Sequence, residues 1–271
     1  VLTDEGDEST LAVRKAILDE EGRGEESDRR RYREDRFMRE AQVVQGIRTS
    51  VGTPHRNICQ VLDCGLQQGR MFLVQERLNG QTLAELLSAK AMHNQVMEEE
   101  QCRRIIADVL SALETADEAQ LQHNNLTPSN IFLASDGARV LGLGVAGWDP
   151  SMISNANYKL PVKAMPQYMS PEQASGHLVD HRSDLFSVGV IMFRCVTGVL
   201  PFDGPVFVSI VEALMTNPLP DVNTSAQTAG NQLSPQFCAV VSRALAKAPD
   251  QRYASARAMR EELEKSGVKY H

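Results

Sequence analysis

Apolar residues recur along this chain with two different periods. From Asp35 onward, Phe37, Met38, Ala41, Val44 and Ile47 fall at helical spacing and predict an amphipathic helix. Ahead of it, Leu11–Ile17 (LAVRKAI) reads as a strand. Glu20–Arg36 is a dense run of mixed charge, expected to be a solvated loop leading into a salt-bridged helix. His55–Gly65 and Met71–Glu76 read as two short strands, with Gly65 and Gly69 bracketing a turn at Gln67–Gln68. After Asn79–Gly80 the pattern becomes helical. Leu83–Leu87 opens one helix, and Glu98–Ala119 forms a longer one with Ile105, Ile106, Val109, Leu110 and Leu113 on one face. Two further strands, Asn130–Leu133 and Arg139–Leu141, flank a Ser135-Asp136-Gly137 turn. Irregular sequence rich in Pro, Asn and Met runs from Gly144 to Pro171, and the remainder reads as helices separated by proline-bearing loops.

This order predicts an α+β protein of two lobes: a small β-rich lobe over 1–77 and a larger α-helical lobe over 78–271, with a cleft between them of the kind ligands favour. A length of 271 residues with 42 % hydrophobic content supports a sizeable core. The net charge of −7 excludes broad nucleic-acid binding, which needs a basic footprint. Cys59, Cys64, Cys102, Cys195 and Cys238 are scattered, never in a C-x-x-C pair, and suit free thiols in a reducing cytoplasm. The longest apolar run, Phe186 to Phe202, is interrupted by Arg194 and is expected to be a buried core helix, so no membrane insertion is expected within this chain. No signal peptide opens it, and its start without methionine suits a fragment of a longer, even membrane-anchored, protein.

Seven stretches, in order, resemble the signature set of the protein kinases, most closely the bacterial serine/threonine branch. HRNICQVLDCG (55–65) resembles the strand after the first helix, and FLVQERLNGQTLAELL (72–87) the hinge and the helix beyond it. HNNLTPSN (123–130) stands where the family has H-R-D-L-K-P-x-N, and VLGLGVA (140–146) where it has D-F-G. YMSPEQ (168–173) resembles the A-P-E segment, HRSDLFSVGVIMF (181–193) the central helix, and KAPDQRYASA (247–256) the arginine before the last helix. The resemblance implies a two-lobed kinase-like fold over nearly the whole chain.

The departures concern chemistry. At the position of the catalytic base stands Asn125, whose amide accepts no proton near neutral pH. At the magnesium aspartate stands Gly142, which offers no hard oxygen, so no metal is expected although Asn130, the other family ligand, is kept. The phosphate-binding lysine falls at Arg14, with Glu40 available to pair with it; the planar fork of arginine makes that swap non-conservative. Thr127 replaces the catalytic-loop lysine, and Met165 the threonine that bonds it. No G-x-G-x-x-G precedes Leu11, and no threonine lies between Gly144 and Glu172 to accept a phosphate, leaving Ser151 and Ser154. For a nucleotide pocket the resemblance implies Ala12 and Phe132 around adenine and Gln75 at its back, with weak ATP binding at most and no other cofactor.

The residues retained are of a structural kind. The resemblance implies a column of His123, Leu143, Val44 and Val61 tying the lobes together, a buried ion pair of Glu172 with Arg252, and Asp184 capping the central helix and bracing the catalytic loop. The leading expectation is therefore a non-enzymatic pseudokinase, a scaffold for protein partners such as an active kinase or a phosphopeptide-binding protein. Two alternatives stand beside it: an atypical phosphotransferase using Lys15, Asp136 or Asp149, and a metal-independent nucleotide sensor. Asp136 or Asp149 turned inward beside Asn130 would favour the first, and a Phe132 ring across the adenine pocket would exclude the second. The helix around Phe37–Ile47, whose front carries Arg29, Arg30 and Arg33, is a candidate dimer or partner face; with Arg31 these arginines also offer a phosphate site, against which the solvated loop is the favoured reading.

Overall fold

A computed structural model describes residues 11–15, 26–47, 52–67, 70–144 and 165–265. The first lobe holds β1 (Leu11–Lys15), α1 (Glu26–Gly46), β2 (Val61–Gln67) and β3 (Arg70–Glu76). β3 is central, antiparallel to both neighbours in the order β1-β3-β2. The register of β2 against β3 shifts between Val61 and Asp63. The Leu62 carbonyl at that bulge accepts a 2.8 Å bond from Gln45 Nε2, so the irregularity docks α1 onto the sheet. Phe37, Ala41 and Val44 bury the inner face of α1.

The second lobe opens with β4 (Gly80–Thr82), α2 (Leu83–Met92) and α3 (Glu99–Glu118). Thr82 and Glu85 start α2 as a reciprocal capping box, with Thr82 N–H donating to Glu85 at 2.6 Å and Glu85 N–H to Thr82 Oγ1 at 3.2 Å. β5 (Ile131–Ala134) and β6 (Gly137–Val140) then complete a second antiparallel sheet, β4-β5-β6. The chain ends in α4 (Pro171–Ala174), α5 (His181–Thr197), α6 (Phe207–Thr216), α7 (Val222–Thr228), α8 (Pro235–Ala244) and α9 (Ala256–Lys265). α5 is buried along nearly all its length: an apolar stretch from Val188 to Phe193 fills the core, and the buried polar residues at its start bond to neighbouring segments. No helix among the described residues is long and apolar enough to cross a membrane.

Backbone bonds join the lobes. Val140 N–H donates to Asn57 O at 2.8 Å and Cys59 N–H to Val140 O at 3.0 Å. The buried Asn57 amide adds a 2.9 Å bond to Ala138 O.

Two boundaries differ from expectation. α1 begins at Glu26, so the end of the charged run is helix rather than loop. Arg36 and Glu40, one turn apart and half-buried, pair along the helix, and the apolar second half of the same helix anchors it. β2 begins at Val61 rather than His55, because residues 55–59 direct their backbone bonds elsewhere: into a turn (Ile58 N–H to His55 O, 3.1 Å) and onto β6.

Candidate active site

The loop of residues 123–130 is held from three sides. From α5, the Asp184 carboxylate accepts the backbone N–H groups of His123 and Asn124, both at 2.8 Å. Asp184 is buried, and burial raises its pKa from 3.8 to about 6 despite those two donors, which act to lower it. The N-terminus of α5 is capped not by Asp184 but by Asp180, whose side chain accepts the Arg182 N–H at 2.8 Å. The expected cap is corrected accordingly: Asp184 lies within the first turn and faces inward, so its oxygens serve the neighbouring loop.

From β6, the chain around Leu141 grips both ends of the loop. Leu141 N–H donates to Asn130 O at 2.8 Å, and Leu141 O lies 3.0 Å from His123 Nε2. Asn125 N–H approaches His123 Nδ1 at 3.4 Å, so the network places the ring proton on Nε2, where it meets the carbonyl. His123 is fully buried, and Val44, Val61 and Leu143 are buried in one continuous core. Gly144, at φ +70°, lies so close to α1 that a Cβ there would stand 3.4 Å from Glu40 Cβ and 3.6 Å from Val44 Cγ2.

From within the loop, Asn130 Nδ2 donates to Asn125 O at 2.8 Å. From α4, the buried Gln173 donates through Nε2 to Asn124 O at 2.8 Å. Thr127 is buried, and its carbonyl receives the Asn130 N–H at 2.9 Å. Asn125 and Asn130 are partly exposed.

Further out, Arg252 Nη1 and Nη2 donate to the two oxygens of Glu172 at 2.7 and 2.8 Å. Burial alone would raise the Glu172 pKa, but this fork and the Ser183 hydroxyl hold it below 4.5. Arg252 also reaches the carbonyls of Ala246, Lys247 and Arg182, which joins the start of α4 to the loop before α9.

The other residues expected around a nucleotide lie on β1, β3, α1 and β5. Ala12 and Arg14 take their places on β1 opposite Gln75 and Leu73 of β3; their side chains lie outside the described residues. Gln75 is buried. Glu40 is bonded to Arg36 Nε at 2.8 Å, and its pKa is raised because burial outweighs that partner. Phe132, on β5 between Thr82 and Arg139, packs its ring edge against Gly80: a Cβ at Gly80 would stand 3.1 Å from Phe132 Cε1.

Gly142 adopts φ +71°, a left-handed conformation that glycine takes freely and aspartate tolerates. The donors at 130 and 142 do not fit a resident magnesium ion. The Asn130 amide nitrogen is committed to the loop, which leaves one neutral side-chain oxygen, and Gly142 adds no side-chain oxygen and no negative charge. Among the described residues, no cluster of three His, Cys, Asp or Glu side chains is placed to ligate a metal.

Asp136 does not turn toward Asn130. It sits at the tip of the β5–β6 hairpin, bonded twice to Arg139 at 2.9 and 2.8 Å. Asp149, Ser151, Ser154 and the stretch before Leu11 lie outside the described residues, as do the side chains of Arg29, Arg30 and Arg33 on α1.

A sequence profile described as "Protein kinase domain" matches residues 4–263. The chain belongs to the protein kinase family. It is 35 % identical over 233 residues to the serine/threonine-protein kinase PksC of Streptomyces coelicolor, covering 84 % of this chain and 40 % of PksC. It is 32 % identical over 234 residues to the serine/threonine-protein kinase PknB of Mycobacterium tuberculosis, covering 84 % of this chain and 35 % of PknB. The kinase domain thus spans well under half the length of these relatives. Among solved structures, the kinase domain of Mycobacterium tuberculosis PknI superposes with a TM-score of 0.67 at 20 % identity, over 95 % of this chain and 85 % of that one; this likeness supports the fold.

These relatives overturn one expectation. The missing carboxylates pointed to a domain that is no enzyme. Relatives at 32 % and 35 % identity over most of the chain are named serine/threonine-protein kinases, and family membership points to a kinase enzyme. The expectation rested on the identities at 125, 127 and 142, although Asp184 was expected to brace the loop that carries the first two. Gln173 was not among the expected site residues: its one visible signal is its place beside Glu172 in YMSPEQ, and nothing local connects that position with residue 124.

Proposed function

We propose that this domain is an ATP-dependent serine/threonine phosphotransferase of low turnover. The observation that carries the reading is the held loop: Asp184, His123 and Asn130 fix the backbone on both sides of Asn125. Phosphoryl transfer depends mainly on positioning and charge stabilisation. Loss of a general base slows such a reaction by about 10²–10⁴-fold rather than abolishing it. ATP is taken as the phosphoryl donor by analogy with the named relatives, weakly bound, with Gln75 and Phe132 beside the adenine position.

The test is transfer of the labelled γ-phosphate of ATP to a generic serine/threonine protein substrate, with and without divalent cation, by wild type and by Asn125→Asp. Slow transfer by wild type, raised at least ~10²-fold by Asn125→Asp, is the expected result. No transfer by wild type, by Asn125→Asp or by the Asn125→Asp/Gly142→Asp double variant would end the reading.

A protein-binding face accompanies this activity. Leu178 is 100 % exposed, and on α6 Val208 and Met215 are 55 % and 47 % exposed. The Ser175 hydroxyl, just after α4, meets Met215 Sδ at 3.6 Å, which sets the end of α6 beside the chain that leads on to Leu178. A protein substrate or a signalling partner, such as another kinase or a phosphopeptide-binding protein, is the occupant this reading assigns. In the same assay, Leu178→Glu with Met215→Glu raises KM for a protein substrate and leaves that of ATP unchanged; an unaltered protein KM removes the face from the account.

A further inference from the structure

Residue 125 is gripped by two side-chain amides, and only one of them belongs to its own loop. Asn130 Nδ2 donates to the carbonyl of Asn125 itself, at 2.8 Å. Gln173 Nε2 donates to the carbonyl of the preceding residue, Asn124, also at 2.8 Å. The two peptide planes that set the direction of the residue 125 side chain therefore each carry one amide donor. Asn124 stands at φ +59°, a left-handed conformation that asparagine tolerates at modest cost, and both of its backbone groups are held from outside the loop. Asp184 holds its N–H and Gln173 holds its C=O.

The other end of Gln173 is equally committed. Its Oε1 accepts the Ser170 N–H at 3.0 Å, and its own N–H donates to Ser170 Oγ at 3.3 Å. The side chain is 2 % exposed, so these bonds meet little competition from water. α4 follows directly on the segment that ends at Ser170, and Glu172 in the same turn is fixed by Arg252. A displacement of that segment must pull on the Asn124 carbonyl through one buried amide.

The geometry points to Gln173 as a positioning residue: it couples the placement of α4 to the orientation of residue 125, and thereby sets the turnover of the phosphotransfer proposed above. This inference rests on that proposed activity for its kinetic consequence, but not for its structural one. Gln173 touches no reacting atom; it acts through the 124–125 peptide.

Gln173→Glu is the discriminating variant, because it keeps size and the acceptor for Ser170 while replacing the donor to Asn124 O with a carboxylate oxygen. Gln173→Met, similar in length and unable to donate or accept, serves as a second variant should the glutamate prevent folding. The first readout is amide hydrogen exchange of the 121–130 segment. Faster exchange there, with α3 and the second half of α5 unchanged, is expected from either variant. The second is kinetic. kcat is expected to fall by about 10- to 100-fold, since a small misplacement near the chemistry costs up to ~10²-fold, while KM for ATP stays constant. The third is the pH profile of Gln173→Glu relative to wild type, which recovers as pH falls, because a protonated carboxyl can again donate to Asn124 O. Wild-type exchange over 121–130 in both variants would overturn the coupling, whatever the activity. Absence of transfer by wild type would instead remove the proposed function and leave exchange to decide this inference.

Discussion

Arg252 and Glu172 form a two-pronged ion pair across 80 residues of sequence, at 2.7 and 2.8 Å, with both side chains buried. The charges are matched and their remaining hydrogen-bonding capacity is used, on Glu172 by Ser183 and on Arg252 by three backbone carbonyls. Removing either partner leaves the other charged and buried. Glu172→Gln or Arg252→Met should therefore cost ~3–5 kcal/mol of unfolding free energy. Urea denaturation checks this, and the double variant should cost less than the sum of the two singles.

The same pair gives the acid limb of stability. The folded-state pKa of Glu172 lies below its ordinary 4.5, so the pair stabilises the fold above that value, and the contribution is lost as pH falls through the folded pKa. Unfolding free energy measured between pH 3 and 7 should fall more steeply below about pH 4.5 in wild type than in Arg252→Met.

Asp184 should act with the opposite sign. Its pKa is raised from 3.8 to about 6 in the folded state, so the folded protein binds more protons in that window, and stability drops as pH rises through it. Relative to Asp184→Asn, wild type should lose about 2–3 kcal/mol between pH 4 and 6.5 and remain level above. A flat difference across this range would show that the two backbone donors dominate over burial.

Gly142→Asp tests the metal position. With φ at +71° the backbone admits aspartate at modest cost, and the new carboxylate joins the Asn130 oxygen. ATP should then raise Tm more with magnesium than without, whereas wild type should show no magnesium-dependent increment; ligand at about 100 times its Kd adds ~2.7 kcal/mol.

Gly80→Ala should break the junction between β4 and β5. Gly80 has φ +145°, and an added Cβ would lie 2.0 Å from the Leu133 carbonyl oxygen and 3.1 Å from the Phe132 ring. The loss should be ~3 kcal/mol or more, and thermal melting should show it as a Tm lower by several degrees.

Much of this molecule was legible along the chain. The amphipathic spacing of Phe37, Ala41 and Val44 and the apolar run of α5 are local signals, set by propensity and by which face each element must bury. The identities at 125, 127 and 142 are likewise sequence facts, and they alone determine that no carboxylate stands at those three positions. The first half of α1 escaped notice because its charged residues carry no apolar period, and a helix there draws its support from the packed half that follows. Only tertiary structure could decide what the retained groups do. Whether Asp184 caps its own helix or holds His123 and Asn124, 61 and 60 residues away, depends on which side of the first turn meets the loop. Whether Gln173 faces solvent or the Asn124 carbonyl depends on how α4 docks. Hydrogen bonds between residues so distant leave no periodicity in the chain: they exist only once the hydrophobic core has brought the elements together, and they then fix the loop to within a hydrogen-bond length.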